Sequence, residues 1–235
     1  MVTGGSAGLG RALLAAAPEG SHRVDVSRSG PPAEADEHVR ADLADPASWT
    51  RVGDHLDALV ASRDWGRITL VNSAGTLEPI GFAGEVDPDR YTANVMVNAA
   101  SALALGQRFL VAITASSARR ELVFVSSGAA HTAYLGWSAY GAAKAAGDQW
   151  VRTVGAEQQE RGGVRVLSVA PGVLATGMQA LIRDTDSGDF PRVERFRELY
   201  AAGRLTDPAD AAIRFWGLLD DDEVPIGSVV DLRDR

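Results

Sequence analysis

The chain has 235 residues, 46% of them hydrophobic and 23% charged, a balance that fits one globular domain and excludes a disordered, collagen-like or disulfide-scaffold protein. A net charge of -8 would repel a phosphodiester backbone or an anionic lipid surface, so neither nucleic acid nor membrane is expected as a partner. There is no cysteine, leader pattern or uninterrupted apolar stretch of about 20 residues, which predicts a cytoplasmic protein without disulfides, thiolate metal sites or a cysteine nucleophile.

Only Met1 and Val2 precede a glycine-rich turn over 3–10, so the first strand is expected to be truncated against the usual five or six residues. A helical pattern at 11–17 is followed by an apolar run at 24–26. Asp45-Pro46 opens the next helix, because an aspartate caps free amides and a proline at the first helical position has none to satisfy. Residues 68–72 read as a buried strand, and Asp87-Pro88 starts an alanine-rich helix over 88–115. Then come a strand at 122–126, a second small-residue helix over 138–160 and a strand at 164–170. Segment 173–205 is long, mixed and charged, as a substrate lid would be. Asp207-Pro208 starts the last helix, the acidic run 220–223 reads as a solvated turn, and residues 229–231 form the last strand. Short apolar runs alternating with amphipathic stretches predict a single α/β domain over 1–235, a Rossmann-type doubly wound parallel sheet flanked by helices.

In the turn Thr3-Gly4-Gly5-Ser6-Ala7-Gly8-Leu9-Gly10, glycines let the backbone approach a pyrophosphate, whose charge the following helix N-terminus favours. In dinucleotide folds an acid about twenty residues on binds the ribose of NAD, whereas an arginine accommodates the extra phosphate of NADP. Here the strand ends in Ser27-Arg28-Ser29, so NADP(H) is the expected cofactor. Tyr140 and Lys144 stand four apart on one helix face. An ammonium there is expected to lower the phenol pKa from its reference of about 10, which suits a tyrosine that passes protons. Upstream, the strand at 122–126 runs into Ser126-Ser127, and a hydroxyl at that end would face the cofactor crevice.

These motifs resemble the short-chain dehydrogenase/reductase family over essentially the whole chain. Its Thr-Gly-x-x-x-Gly-x-Gly turn is matched by Thr3, Gly4, Gly8 and Gly10, with Ser6 and Leu9 as further cofactor contacts, and its Tyr-x-x-x-Lys pair by Tyr140 and Lys144. The family's serine lies thirteen residues before the tyrosine, which selects Ser127. Its Asn-Asn-Ala-Gly element appears as Asn72-Ser73-Ala74-Gly75, its catalytic asparagine as Asn98 and its adenine-contacting Asp-Leu step as Asp42-Leu43. The Pro-Gly-x-x-x-Thr run is matched by Pro171, Gly172 and Thr176. Ser73 departs from the pattern, as does Ala7, where many NADP-dependent members carry arginine; Arg28 is then left as the main phosphate contact. Residues 171–179, Arg183-Asp184-Thr185 and 227–231 are similar to sepiapterin reductases and the bacterial benzil reductases related to them, and Asp231 would match the aspartate that anchors the pterin ring in sepiapterin reductase.

The resemblance implies an NADPH-dependent carbonyl reductase acting on a small ketone or diketone. Tyr140 would give the proton, Ser127 hold the carbonyl oxygen, Lys144 bind the nicotinamide ribose and Asn98 support a proton-relay water. The alternatives are an alcohol dehydrogenase working oxidatively and a non-catalytic NADP(H)-sensing protein. Trp137 and Tyr134 are candidates to line the substrate pocket. His22, His38, His55 and His131 lack ligand-like clustering, so no metal is expected. A homodimer is expected to pair through the small-residue faces of the helices over 88–115 and 138–160.

Overall fold

In the computed structural model, which describes all 235 residues, seven strands pair in parallel. They are β1 (Val2–Thr3), β2 (Val24–Ser27), β3 (Glu37–Arg40), β4 (Arg67–Asn72), β5 (Arg119–Val125), β6 (Arg165–Ala170) and β7 (Val229–Asp231). Their order across the sheet is β3-β2-β1-β4-β5-β6-β7. The chain leaves β1 toward β2 and β3 on one side and returns through β4 on the other, so a crevice opens at the carboxyl ends of β1 and β4.

β1 is short, as the sequence predicts, and its pairing reaches one residue further back: the Val71 amide donates to the Met1 carbonyl at 3.0 Å, and the Met1 amine donates to the Thr69 carbonyl at 2.9 Å. β3 is absent from the predicted apolar runs. It lies at the sheet edge, where Val39 is its one buried side chain, His38 turns toward the buried Asp25 and Arg40 faces water.

Eight α-helices cover the sheet: α1 (Gly8–Ala15), α2 (Pro46–Ala61), α3 (Pro88–Val95), α4 (Ser101–Ala112), α5 (Ser138–Arg161), α6 (Gly177–Asp184), α7 (Val193–Ala201) and α8 (Pro208–Asp220). All three Asp-Pro starts form as predicted. The Asp45, Asp87 and Asp207 carboxylates accept amides of Ala47, Arg90 and Ala209 at 3.0, 2.8 and 2.7 Å. Alternation along the strands divides the core in two. Leu70, Leu122 and Phe124 face α2, α4 and α5, while Val71, Val123 and Val125 face α1 and α8. Phe109 and Phe215, fully buried in the two layers, each contribute roughly 1.5–3 kcal/mol by leaving water.

The helix predicted over 88–115 runs from Pro88 to Ala112 and is interrupted by a π turn at Met96–Ala100. An 18-residue window of it has a mean hydropathy of 1.4, apolar enough by composition alone for a membrane span, but Asp89 and Arg90 at its start and Gly106 and Arg108 toward its end break the apolar run, as the sequence reading expects. In this fold Ala102, Leu105 and Phe109 enter the core, and Arg108 pairs with Asp54 and Asp57 of α2 at 3.1 and 3.0 Å. Segment 173–205 folds into α6 and α7. Their Ile182, Val193 and Phe196, with Phe190 between them, pack on Leu77, Trp137 and Tyr140 to form a third, smaller core at the carboxyl ends of the strands.

Candidate active site

A cavity of about 720 Å³ opens at those carboxyl ends, a size that suits a cofactor or small-molecule site. Ser27, Arg28, Asp42 and Leu43 line it beside β2 and β3. Gly4, Ser6, Gly8, Leu9 and Gly10 line it after β1, with Ala74 and Gly75 after β4. Beyond these come Ser127, Trp137, Tyr140, Lys144, Pro171, Gly172, Thr176 and Asp231.

Local geometry explains the turn. Gly4 has φ +73°, and a Cβ on it would stand 2.8 Å from the Ala74 Cα. The Thr3 hydroxyl accepts the amides of Ser73 and Ala74, both at 3.0 Å, and so ties the β1 turn to the β4 turn. Thr3, Asn72 and Asn98 nevertheless do not line the cavity: they are 1%, 4% and 1% exposed and stand behind its wall. The Asn72 amide donates to the Ala102 carbonyl at 3.3 Å. Asn98, in the π turn, accepts the Thr76 amide at 3.1 Å and donates to the Thr76 carbonyl at 2.8 Å.

At the β2 end, the Ser27 hydroxyl donates inward to the buried Asp25 at 2.7 Å, and the same carboxylate oxygen lies 2.8 Å from His38 Nδ1. Contrary to the sequence expectation, its proton is therefore committed inside the protein. Arg28 is exposed and has no carboxylate partner, because the acids that follow it pair elsewhere: Glu34 with Arg11 at 3.0 Å and Asp36 with Arg23 at 3.1 Å. A free guanidinium beside a glycine-lined cavity that continues to Tyr140 is placed to hold a phosphate of a dinucleotide.

Ser127 caps a short turn at Gly128–Ala130, accepting the Ala129 amide at 3.2 Å, and faces Tyr140 closely enough to favour its phenolate. The Lys144 ammonium donates to the Val125 carbonyl at 2.8 Å. The expectation that lysine lowers the phenol pKa is reversed in this geometry. Burial at 7% exposure, edge-on to Trp137 in the small core at the strand ends, pushes Tyr140 above its usual value, and Ser127 offsets only part of this. Burial also lowers Lys144 to about 8, against the opposing pull of Asp148. Reductive kcat/KM should therefore be level near neutrality and fall above about pH 8 as Lys144 loses its charge, with Tyr140 still protonated; a pH–rate profile checks this. The sequence held one further signal: Lys144 is the sole lysine, and apart from histidine every other cationic side chain is arginine.

The cavity wall is aromatic beside Tyr140. Trp137 stacks on Phe190 at 4.5 Å between centroids, and Tyr134 lies 4.9 Å from Trp137. The Asp231 carboxylate is already engaged. Arg233 donates to it through its amide at 2.9 Å and through Nε at 2.9 and 3.1 Å, which holds the carboxyl below the usual range. Arg233 was not among the residues singled out from sequence.

Residues 1–187 match the short chain dehydrogenase family. The chain is 35% identical over 212 residues to a benzil reductase ((S)-benzoin forming) of Bacillus subtilis, spanning 88% of this chain and 87% of that protein. It is 33% identical over 198 residues to the sepiapterin reductase of Meriones unguiculatus, spanning 83% and 74%. Among solved structures, a short chain dehydrogenase/reductase from Saccharomyces cerevisiae superposes with a TM-score of 0.84 at 27% identity, over 99% of this chain and 95% of that one.

Proposed function

The chain belongs to the short chain dehydrogenase family of NAD(P)(H)-dependent oxidoreductases, and on that premise we propose that it reduces a small aromatic diketone with NADPH. The observation that carries this reading is the convergence of Ser127, Tyr140 and Lys144 on one cavity that also reaches Arg28. The reduced nicotinamide supplies the hydride. Tyr140 keeps its proton on the phenolic oxygen through the neutral range and gives it to the developing alkoxide, while the Ser127 hydroxyl holds the same oxygen. Lys144 carries positive charge behind the phenol and binds the nicotinamide ribose, and Asn98 fixes the Thr76 backbone beside it. Oxidation of an alcohol would need Tyr140 as phenolate, which its burial opposes.

The aromatic wall supports a planar substrate, and Arg233 favours the diketone over a pterin. A pterin would need the Asp231 carboxylate to accept its N–H donors, but that carboxylate is saturated by a guanidinium of this chain. Segment 173–205 serves as the lid that excludes water from the transferred hydride. A cytoplasmic homodimer joined through α4 and α5 completes the reading; Val111 on α4, 62% exposed, is an apolar side chain such a contact would cover. The test compares benzil with sepiapterin on wild type and Asp231→Ala. Wild type should favour benzil, and the substitution should leave benzil turnover near the wild-type rate. Strong sepiapterin turnover that is lost in Asp231→Ala would reverse the substrate assignment.

A further inference from the structure

On α5, Tyr140 and Lys144 are followed one turn later on the same face by Asp148, which the mechanism above does not use. Its carboxylate is fully buried. Oδ1 accepts the Ser168 hydroxyl from β6 at 2.5 Å, and Oδ2 lies 3.1 Å from Nε2 of His131, whose side chain is 56% exposed. A carboxylate removed from water is costly unless donors and a cation face it.

Lys144 has the matching deficit. It is 3% exposed and spends one N–H on the Val125 carbonyl; its ammonium lies 4.9 and 5.6 Å from the ring centroids of Phe124 and Tyr140. The polar groups around the pair are Tyr140 on α5, Ser127 and the Val125 carbonyl from the end of β5, His131 after it, Ser168 on β6 and the Asn98 amide across Gly75. None of these brings a carboxylate, so Asp148 is the one negative charge that favours the charged lysine, beside the neutral Val125 carbonyl.

We propose that Asp148 is a positioning residue: braced by the Ser168 hydroxyl, its carboxylate keeps the Lys144 ammonium charged and aligned with Tyr140 along one face of α5. The proposal rests on the reading of Lys144 as part of a reductase site, but its test reads the lysine itself. Because Lys144 is the only lysine, protein carrying isotope-labelled lysine gives a single lysine side-chain NMR signal to titrate. Wild type should titrate near 8. Asp148→Asn, which can still accept from Ser168, should lower that midpoint by roughly one unit. The alkaline limb of reductive kcat/KM should move with it, while the rate on the acid side stays close to wild type.

A residue that merely supports the fold would lower the rate by one factor at every pH and leave the midpoint in place, and that result overturns the proposal. Should Asp148→Asn fail to fold, the wild-type titration decides. A midpoint near 8 supports the proposal, and one below about 7 means burial alone governs the lysine and overturns it. A protein that reduced no carbonyl could still show the shifted midpoint, so failure of the reductase reading and failure of this inference are distinguishable.

Discussion

Tyr140→Phe is expected to lower ketone turnover by roughly 10²–10⁴-fold, the usual contribution of a positioned general acid, while leaving NADPH affinity close to wild type. The substitution removes the phenolic oxygen and keeps the ring, so the T-shaped contact with Trp137, at 5.8 Å between centroids, persists. The Ser127 hydroxyl still accepts the Ala129 amide, so the turn at Gly128–Ala130 stays capped. Stopped-flow turnover and a fluorescence titration of NADPH separate the two effects. Substantial turnover in the phenylalanine variant would move the acid role to another group.

Arg28→Asp should reverse the cofactor preference. Wild type is expected to favour NADPH over NADH, because a charge-assisted pair between Arg28 and the 2′-phosphate contributes roughly 1.5–3 kcal/mol, about one to two decades in affinity. Ser27 adds little to that preference, since its proton is directed to Asp25. A carboxylate at position 28 repels the phosphate and can accept the ribose hydroxyl of NADH instead. Measuring kcat/KM for both cofactors on both proteins checks the assignment; equal use by wild type, or an unchanged ratio in the variant, contradicts it.

The features legible in the sequence were those written locally. Each Asp-Pro pair states its own helix start, and runs such as 68–72 are apolar on both faces because both faces of those strands are covered. The cavity brings together Ser127, Tyr140, Lys144 and the glycine turn for the same reason, since each follows a strand end or lies on one helix face. Features that depend on partners distant in the chain were not legible. β3 is a strand because it pairs with β2, not because Glu37-His38-Val39-Arg40 is apolar. The π turn at Met96–Ala100 is a change in hydrogen-bond register that alanine-rich sequence does not announce. Thr3 and Asn72 look like cofactor contacts in a motif, and only the fold shows them bonding backbone behind the wall. Asp25 and Asp148 sit in stretches that read as ordinary strand and helix, and their burial against His38 and Ser168 is a tertiary fact. The raised Tyr140 pKa is another, because it comes from burial in the core that α6 and α7 complete and not from the spacing to Lys144.

The most direct test of the account follows the hydride. NADPH carrying two deuteriums at C4 of its nicotinamide is incubated with the purified protein and benzil, and the product is analysed by mass spectrometry. The account predicts consumption of one NADPH per benzil and benzoin carrying one deuterium at the new carbinol carbon. No consumption of NADPH across benzil and related diketones, or benzoin formed without the label, would contradict it.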